Sequence, residues 1–196
     1  MILGVTGGIG SGKSTVSGYL CEKYGFLFLS CDDLAKQMMT EDPGLVALLK
    51  KAFGEEIYTA DGLLDKKRYA SLIYGSEEQR KLSDSLVHPA VWKKIRELTG
   101  DPGKDYLVET ALPDQNFRDL CDRILFVRVE PEERIHRLQV SRGYTEEYAR
   151  SVMANQKPDR FFESLSDHVI DNSGSFTETA KAADRIAEYE KCFLCR

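Results

Sequence analysis

Nowhere do apolar residues run on for the roughly 20 positions that a bilayer-spanning helix requires, which excludes a helical membrane span. Cysteine is scarce and odd in number: Cys21, Cys31, Cys121, Cys192 and Cys195 show no framework spacing. That excludes a disulfide scaffold and points to a reducing compartment. The lone C-x-x-C, Cys192 to Cys195, cannot fill a tetrahedral zinc site by itself and reads as tail. Positive charge is not in excess either, with 27 Lys and Arg against 32 Asp and Glu, a net charge of −5. Bulk binding to nucleic acid or to an anionic membrane is therefore not expected, although a local basic site is compatible with that balance. No targeting stretch precedes the first apolar run at Met1, so a cytoplasmic protein is expected. Repeats and low-complexity segments are missing too. The 196 residues, 42% of them hydrophobic, suffice for one domain with a real core.

What the chain does have is a glycine-dense segment, Gly7-Gly8-Ile9-Gly10-Ser11-Gly12-Lys13-Ser14-Thr15. It lies between the apolar run Met1-Ile2-Leu3-Gly4-Val5 and a helical pattern over 14–24 that ends at Gly25. Strand, glycine turn and helix start are the context a phosphate-binding loop needs. Without Cβ atoms the backbone can wrap closely on a polyphosphate, and the helix N-terminus adds anion-directed N–H groups. In such a loop Lys13 reaches the β/γ phosphates and the Ser14 hydroxyl ligates Mg²⁺. The plain alternative is a tight turn with a chance lysine. A GTPase is not expected, because no Asn-Lys-x-Asp base-reading segment occurs.

Strands and helices alternate along the rest of the chain. Phe26 to Leu29 is a continuous apolar run, predicted as a parallel strand covered on both faces. Residues 32–40 predict a helix, and Asp42-Pro43 a cap with a first-turn proline. From there to about residue 100 the patterns are helical, with His88-Pro89 starting one helix and Trp92, Ile95 and Leu98 forming an apolar stripe. Tyr106 to Val108 and Ile124 to Val127 predict strands, the first ending in Glu109. Pro131 opens a helix with Ile135 and Leu138 on one face. A helix over 144–156 capped at Thr145, a short strand at Val169-Ile170 and a closing helix over 175–191 follow. The pattern predicts an α/β fold of the P-loop NTPase type: a parallel sheet flanked by helices, with a helical insertion and a helical lid. Core segments fall at about 1–40, 101–130 and 166–196, the insertion at 41–100 and the lid at 131–165. Ligands of such sheets bind beyond the carboxyl ends of the strands, where the loop, Asp32 and Glu109 all fall.

Phosphoryl transfer needs charge neutralisation and a carboxylate to orient the acceptor hydroxyl and take its proton. Asp32 is placed for that; Asp33 can share or swap the role, and both can equally cap the following helix. Glu109, at a strand end, can hold a Mg²⁺-bound water, or be a solvated carboxylate. Arg134, Arg137, Arg142, Arg150, Lys157 and Arg160 crowd the lid stretch, and Arg137 and Arg142 are the two expected to meet phosphate. The alternative is a solvated face offset by Glu132, Glu133, Glu146 and Glu147. Cys31 reads as a small buried residue beside Asp32.

These segments resemble the dephospho-CoA kinase family. The loop from Thr6 to Val16 resembles that family's P-loop. Ser30-Cys31-Asp32-Asp33-Leu34-Ala35-Lys36 resembles its Asp-Ala-Asp-x-Ile-Ala-Arg segment, with Asp32 at the second, catalytic aspartate. Leu86-Val87-His88-Pro89 resembles its His-Pro motif, and Arg137-Leu138, Gly143 to Glu147 and Gln156 resemble its lid. Ser166 to Asn172 resembles the segment near which adenine sits. The likeness spans nearly the whole chain in order. It implies ATP and Mg²⁺, a nucleotide contact from the loop (Gly8, Ile9, Gly10, Ser11, Gly12, Lys13, Ser14, Thr15) and Asn172, and acceptor contacts from Asp32 and His88. Ser14 and Glu109 are the metal-side residues expected from the loop and the strand end. The implied reaction moves the ATP γ-phosphate to the ribose 3′-hydroxyl of dephospho-CoA, the last step of coenzyme A synthesis. A monomer or weak homo-oligomer is expected. The departures are Ser30 for aspartate, Lys36 for arginine, Glu109-Thr110-Ala111-Leu112-Pro113 for Asp-x-Pro-Leu-Leu, Ser141 for arginine and Phe162 for lysine. They leave open a divergent kinase for another small hydroxyl or nucleotide acceptor, or a nucleotide-binding regulatory paralogue.

Overall fold

In the computed structural model, which describes residues 1–194 and side chains as far as residue 190, five strands join in one parallel sheet. They are β1 (Ile2–Thr6), β2 (Leu27–Ser30), β3 (Tyr106–Thr110), β4 (Arg123–Arg128) and β5 (His168–Asp171). The spatial order is β2-β3-β1-β4-β5, so the strand that feeds the glycine-rich loop is central. The helices are α1 (Lys13–Tyr24), α2 (Cys31–Glu41), α3 (Pro43–Phe53), α4 (Lys66–Gly75), α5 (Glu77–Leu98), α6 (Gln115–Leu120), α7 (Pro131–Arg142), α8 (Glu146–Ala154), α9 (Asp159–Leu165) and α10 (Phe176–Leu194). Among the described residues no helix is long and apolar enough to cross a membrane. Cys195 and the side chain of Cys192 lie outside the described residues.

Two compact units divide the chain: Met1–Ser30 with the chain from Asp101 onward, and Cys31–Gly100. In the first, alternation along β1 sends Leu3 and Val5 to one face, where they join Val16 and Leu20 of α1 and Ala183 and Ala187 of α10 in a buried cluster. The opposite face is set by Gly4. Phe117 of α6 approaches so closely that a Cβ there would stand 2.6 Å from its ring. Both faces of the central strand are thus sealed, and the loop that leaves its end starts from a rigid base. Helix α1 ends where Gly25 turns left-handed at φ 75°, its N–H bonding the Cys21 carbonyl at 2.9 Å.

The strand at Phe26–Leu29 departs from the sequence reading. β2 begins one residue later and lies at a sheet edge, so Leu27 and Phe28 are nearly half exposed while Phe26 is buried. An apolar run alone does not distinguish an edge strand from a covered one.

The second unit is helical. Asp42, Asp65 and Ser76 each accept a hydrogen bond from the backbone N–H three residues on, capping α3, α4 and α5. Leu45, Leu49, Ile57, Val87, Trp92 and Ile95 fill its core, and Phe53 meets Tyr69 edge to face at 5.6 Å. His88-Pro89 does not start a helix: α5 runs for 22 residues straight through Pro89. Burial of Ser83, Val87, Val91 and Ile95 continues along one face across the proline, which itself is exposed. Tertiary packing of that face outweighs the lost backbone bond. The apolar stripe stops at Ile95, for Leu98 is 40% exposed. Accordingly, Ile95→Ala should cost about 2–5 kcal/mol in urea unfolding, and Leu98→Ala less than about 1 kcal/mol. Equal losses at both sites would contradict this packing.

Candidate active site

The site grows from the carboxyl end of β1. Thr6 is fully buried and its hydroxyl donates to the Thr110 carbonyl at 2.9 Å, tying the end of β1 to the end of β3. The chain then turns through Gly7 to Gly12, with the Ser11 N–H on the Gly8 carbonyl at 3.2 Å. Gly10 and Gly12 take φ of 77° and 80°, a region that L side chains rarely adopt. Gly12 is the residue from which α1 starts, and no side chain caps it. Among the described residues the Lys13 and Ser14 N–H groups have no hydrogen-bond partner, whereas those of Thr15 and Val16 bond the Gly12 carbonyl, so the first two are open to an external anion.

Lys13 opens α1, is partly exposed and lines a cavity of ≈ 610 Å³. Gly10, Gly12, Ser14, Thr15, Arg137 and Arg142 share that lining. Ser14 donates its hydroxyl proton to Glu109 Oε1 at 2.7 Å. Glu109 is only 7% exposed, and among the described residues its buried Oε2 has no hydrogen-bond partner. A buried carboxylate oxygen with no donor is costly unless a cation or water meets it. The expected metal pair, Ser14 and Glu109, therefore stands together, and the chemistry of its oxygens suits Mg²⁺. Burial, assisted by the Glu109 charge, pushes the nearby Cys21 thiol up to about 11.

Arg137 donates through Nε to Glu133 at 2.8 Å and through Nη2 to the Asn172 carbonyl at 2.7 Å. Arg142 is exposed at the end of α7, on the cavity wall. The Asn172 side chain is engaged at both ends. Its Nδ2 donates to the Ser11 carbonyl at 2.8 Å, and its Oδ1 accepts from Thr179 at 2.7 Å. It lines the cavity while bracing the loop from behind. Of the two departures in the lid stretch, Phe162 is buried and stacks on Phe126 at 5.3 Å, so it serves the core. Ser141 returns its hydroxyl to the Arg137 carbonyl at 2.6 Å.

Asp32 and His88 belong to the second unit. Asp32 stands exposed in the first turn of α2, two residues beyond the end of β2, and forms no ion pair among the described residues. Its neighbour Asp33 is paired with Lys36 at 2.8 Å. His88 lies on α5, its Nε2 3.8 Å from Asp84.

One pair escaped the sequence reading as a pair. Arg134, only one of several lid-stretch cations in the sequence, is 7% exposed and donates Nε to the Ile9 carbonyl at 2.9 Å. Gln156 accepts from both the Ile9 N–H at 2.9 Å and Arg134 Nη2 at 3.0 Å. The signal available in the sequence was helical spacing: Arg134 is four residues before buried Leu138, on the same face of α7.

A glycine loop at the end of the central parallel strand, a helix start open to anions, a lysine on the cavity wall and a hydroxyl–carboxylate pair define a P-loop nucleotide-binding α/β protein. Comparison with known proteins narrows this: the family model for dephospho-CoA kinase matches residues 1–178, and the chain belongs to that family. A dephospho-CoA kinase of Corynebacterium efficiens is 35% identical over 190 residues, covering 94% of each chain. One from Carboxydothermus hydrogenoformans is 37% identical over 186 residues, 91% of this chain and 88% of that protein. Among solved structures, TT1252 from Thermus thermophilus superposes with a TM-score of 0.77 at 28% identity, covering 97% of both chains.

Proposed function

We propose that this chain transfers the γ-phosphoryl group of ATP to the ribose 3′-hydroxyl of dephospho-CoA, giving coenzyme A and ADP. The observation that carries the reading is the Lys13–Ser14–Glu109 arrangement on the phosphate loop, within a chain of this family. Residues Gly8 to Thr15 cradle the triphosphate, and Lys13 neutralises its β/γ end. Ser14 and Glu109 hold Mg²⁺, which when bound offsets charge on the phosphate oxygens. Asp32 takes the proton of the attacking hydroxyl as the new O–P bond forms and the bond to the β-phosphate oxygen breaks. Among the described residues it has no ion-pair partner while Asp33 is held by Lys36, which favours it over Asp33 for this task. His88 contributes to acceptor binding. Residues 131–165 act as a lid that brings Arg137 and Arg142 to the phosphates, and Asn172 borders the nucleotide. A cytoplasmic monomer or weak homo-oligomer completes the reading.

The test is ADP release with Mg·ATP and dephospho-CoA, beside adenosine, pantetheine and shikimate as acceptors, with the product weighed by mass spectrometry. Turnover is expected with dephospho-CoA, yielding coenzyme A, and should stop on chelation with EDTA and return with added Mg²⁺. ATP binding without turnover on any acceptor would favour the regulatory paralogue. Turnover on a control acceptor alone would favour a divergent kinase.

A further inference from the structure

A trans peptide unit is planar, so its C=O and its N–H point in opposite directions. Whatever grips the carbonyl of one residue therefore aims the amide of the next. At Ile9 both backbone groups are gripped from one side. Arg134 Nε donates to the carbonyl at 2.9 Å, and Gln156 Oε1 accepts from the N–H at 2.9 Å. The two gripping side chains are themselves joined at 3.0 Å, closing a small ring of three hydrogen bonds.

The Ile9 carbonyl shares its peptide plane with the N–H of Gly10. Gly10 lines the nucleotide-side cavity, and its N–H makes no hydrogen bond among the described residues. With the carbonyl held back by Arg134, that amide faces away from Arg134. The ring also has no slack on the Arg134 side. The guanidinium is 7% exposed, and a Cβ at Gly8 would collide with it. Its nearest carboxylate, Asp159, is 3.6 Å away and more than a third exposed. Burial disfavours the charge on Arg134, and Asp159 opposes that only in part. Retaining a buried arginine against two neutral partners is costly, so its fixed fork geometry is the feature that fits the role.

We propose that Arg134 and Gln156 form a positioning pair that locks the two peptide units of Ile9 and thereby aims the Gly10 amide at the polyphosphate. The proposal rests on the nucleotide-site reading above and deepens it. Neither residue touches the reacting atoms; both act through the loop backbone.

Steady-state kinetics on the full chain with Mg·ATP and dephospho-CoA test this. Arg134→Met removes both donors, and Gln156→Leu removes the acceptor without changing charge. Each should raise KM for ATP about tenfold, the effect of a misaimed hydrogen bond worth roughly 1.4 kcal/mol. KM for dephospho-CoA should stay within about twofold. Arg134→Lys keeps the charge but not the fork, and should recover only part of the loss. A purely structural role would instead lower the urea midpoint without separating the two KM values. If KM for ATP moves in neither variant, or only in step with that for dephospho-CoA, the positioning pair is overturned. Should Arg134→Met fail to fold, Gln156→Leu decides. Lys13→Ala runs as the reference: if it too leaves ATP unaffected, the nucleotide-site reading fails rather than the pair alone.

Discussion

Lys13→Ala is expected to bring phosphoryl transfer nearly to a halt. The side chain has no structural duty that would complicate the result. It opens α1 on the cavity wall, partly exposed, and enters none of the ion pairs among the described residues. Its ammonium is the positive charge nearest in sequence to the helix start where a triphosphate would lie. Removing one preorganised donor of this kind lowers kcat by about 10²–10³-fold. The urea midpoint should be unchanged, because no core contact is lost. ADP release under saturating dephospho-CoA, with unfolding run in parallel, measures both. Near-normal turnover in the variant would remove Lys13 from the reaction and the phosphate loop from its assigned role.

Asp32→Asn is the second large effect expected. The amide keeps the shape and a hydrogen-bond acceptor but cannot take a proton. ATP binding should survive while kcat falls by roughly 10²–10⁴-fold, the usual contribution of a positioned base. The control is next door. Asp33→Asn breaks an exposed i,i+3 pair with Lys36, whose partners are 66% and 72% exposed. Exposed pairs contribute little, so turnover should stay within about threefold of the parent. If Asp33→Asn were the damaging change, the base would shift by one residue and Lys36 would become its charge partner. Isothermal titration with ATP separates loss of chemistry from loss of binding in both variants.

The parts of the fold that were legible in the sequence are those written locally. The loop and α1 were readable because glycines mark both ends of that helix, at Gly12 and at Gly25. Asp42-Pro43 and Thr145 announced helix starts, and the structure has caps at both. The five strands were visible as apolar runs. Their order was not, because a run carries no record of its neighbours, and so the exposure of Leu27 and Phe28 on the edge strand came only with the pairing. Pro89 was misleading for the same reason: a local breaker lost to the buried face of α5, whose partners are other helices. The six-residue α6 passed unnoticed, being too short to show a period. In the site, Ser14 and Glu109 were each singled out, and the structure joins them in one hydrogen bond. Arg134 was lost among its neighbours, since the carbonyl it holds lies 125 residues away along the chain.

The pairing of β1 bears on how the chain is made. Leu3 lies beside Leu107 on one side and Arg123 on the other. The strand that carries the phosphate loop is made about a hundred residues before β3, the earlier of the two strands that pair with it. At about 5–20 residues per second that interval is roughly 5–20 s. Meanwhile residues 31–100 form a contiguous stretch with its own buried helical core. Birth order and assembly order are thus reversed: the helical unit can complete itself while the first strand waits. The nucleotide pocket, whose lining runs from Gly10 to Phe176, is complete only after that helical stretch has been made, so a growing chain gains its affinity for a polyphosphate later than its helical core.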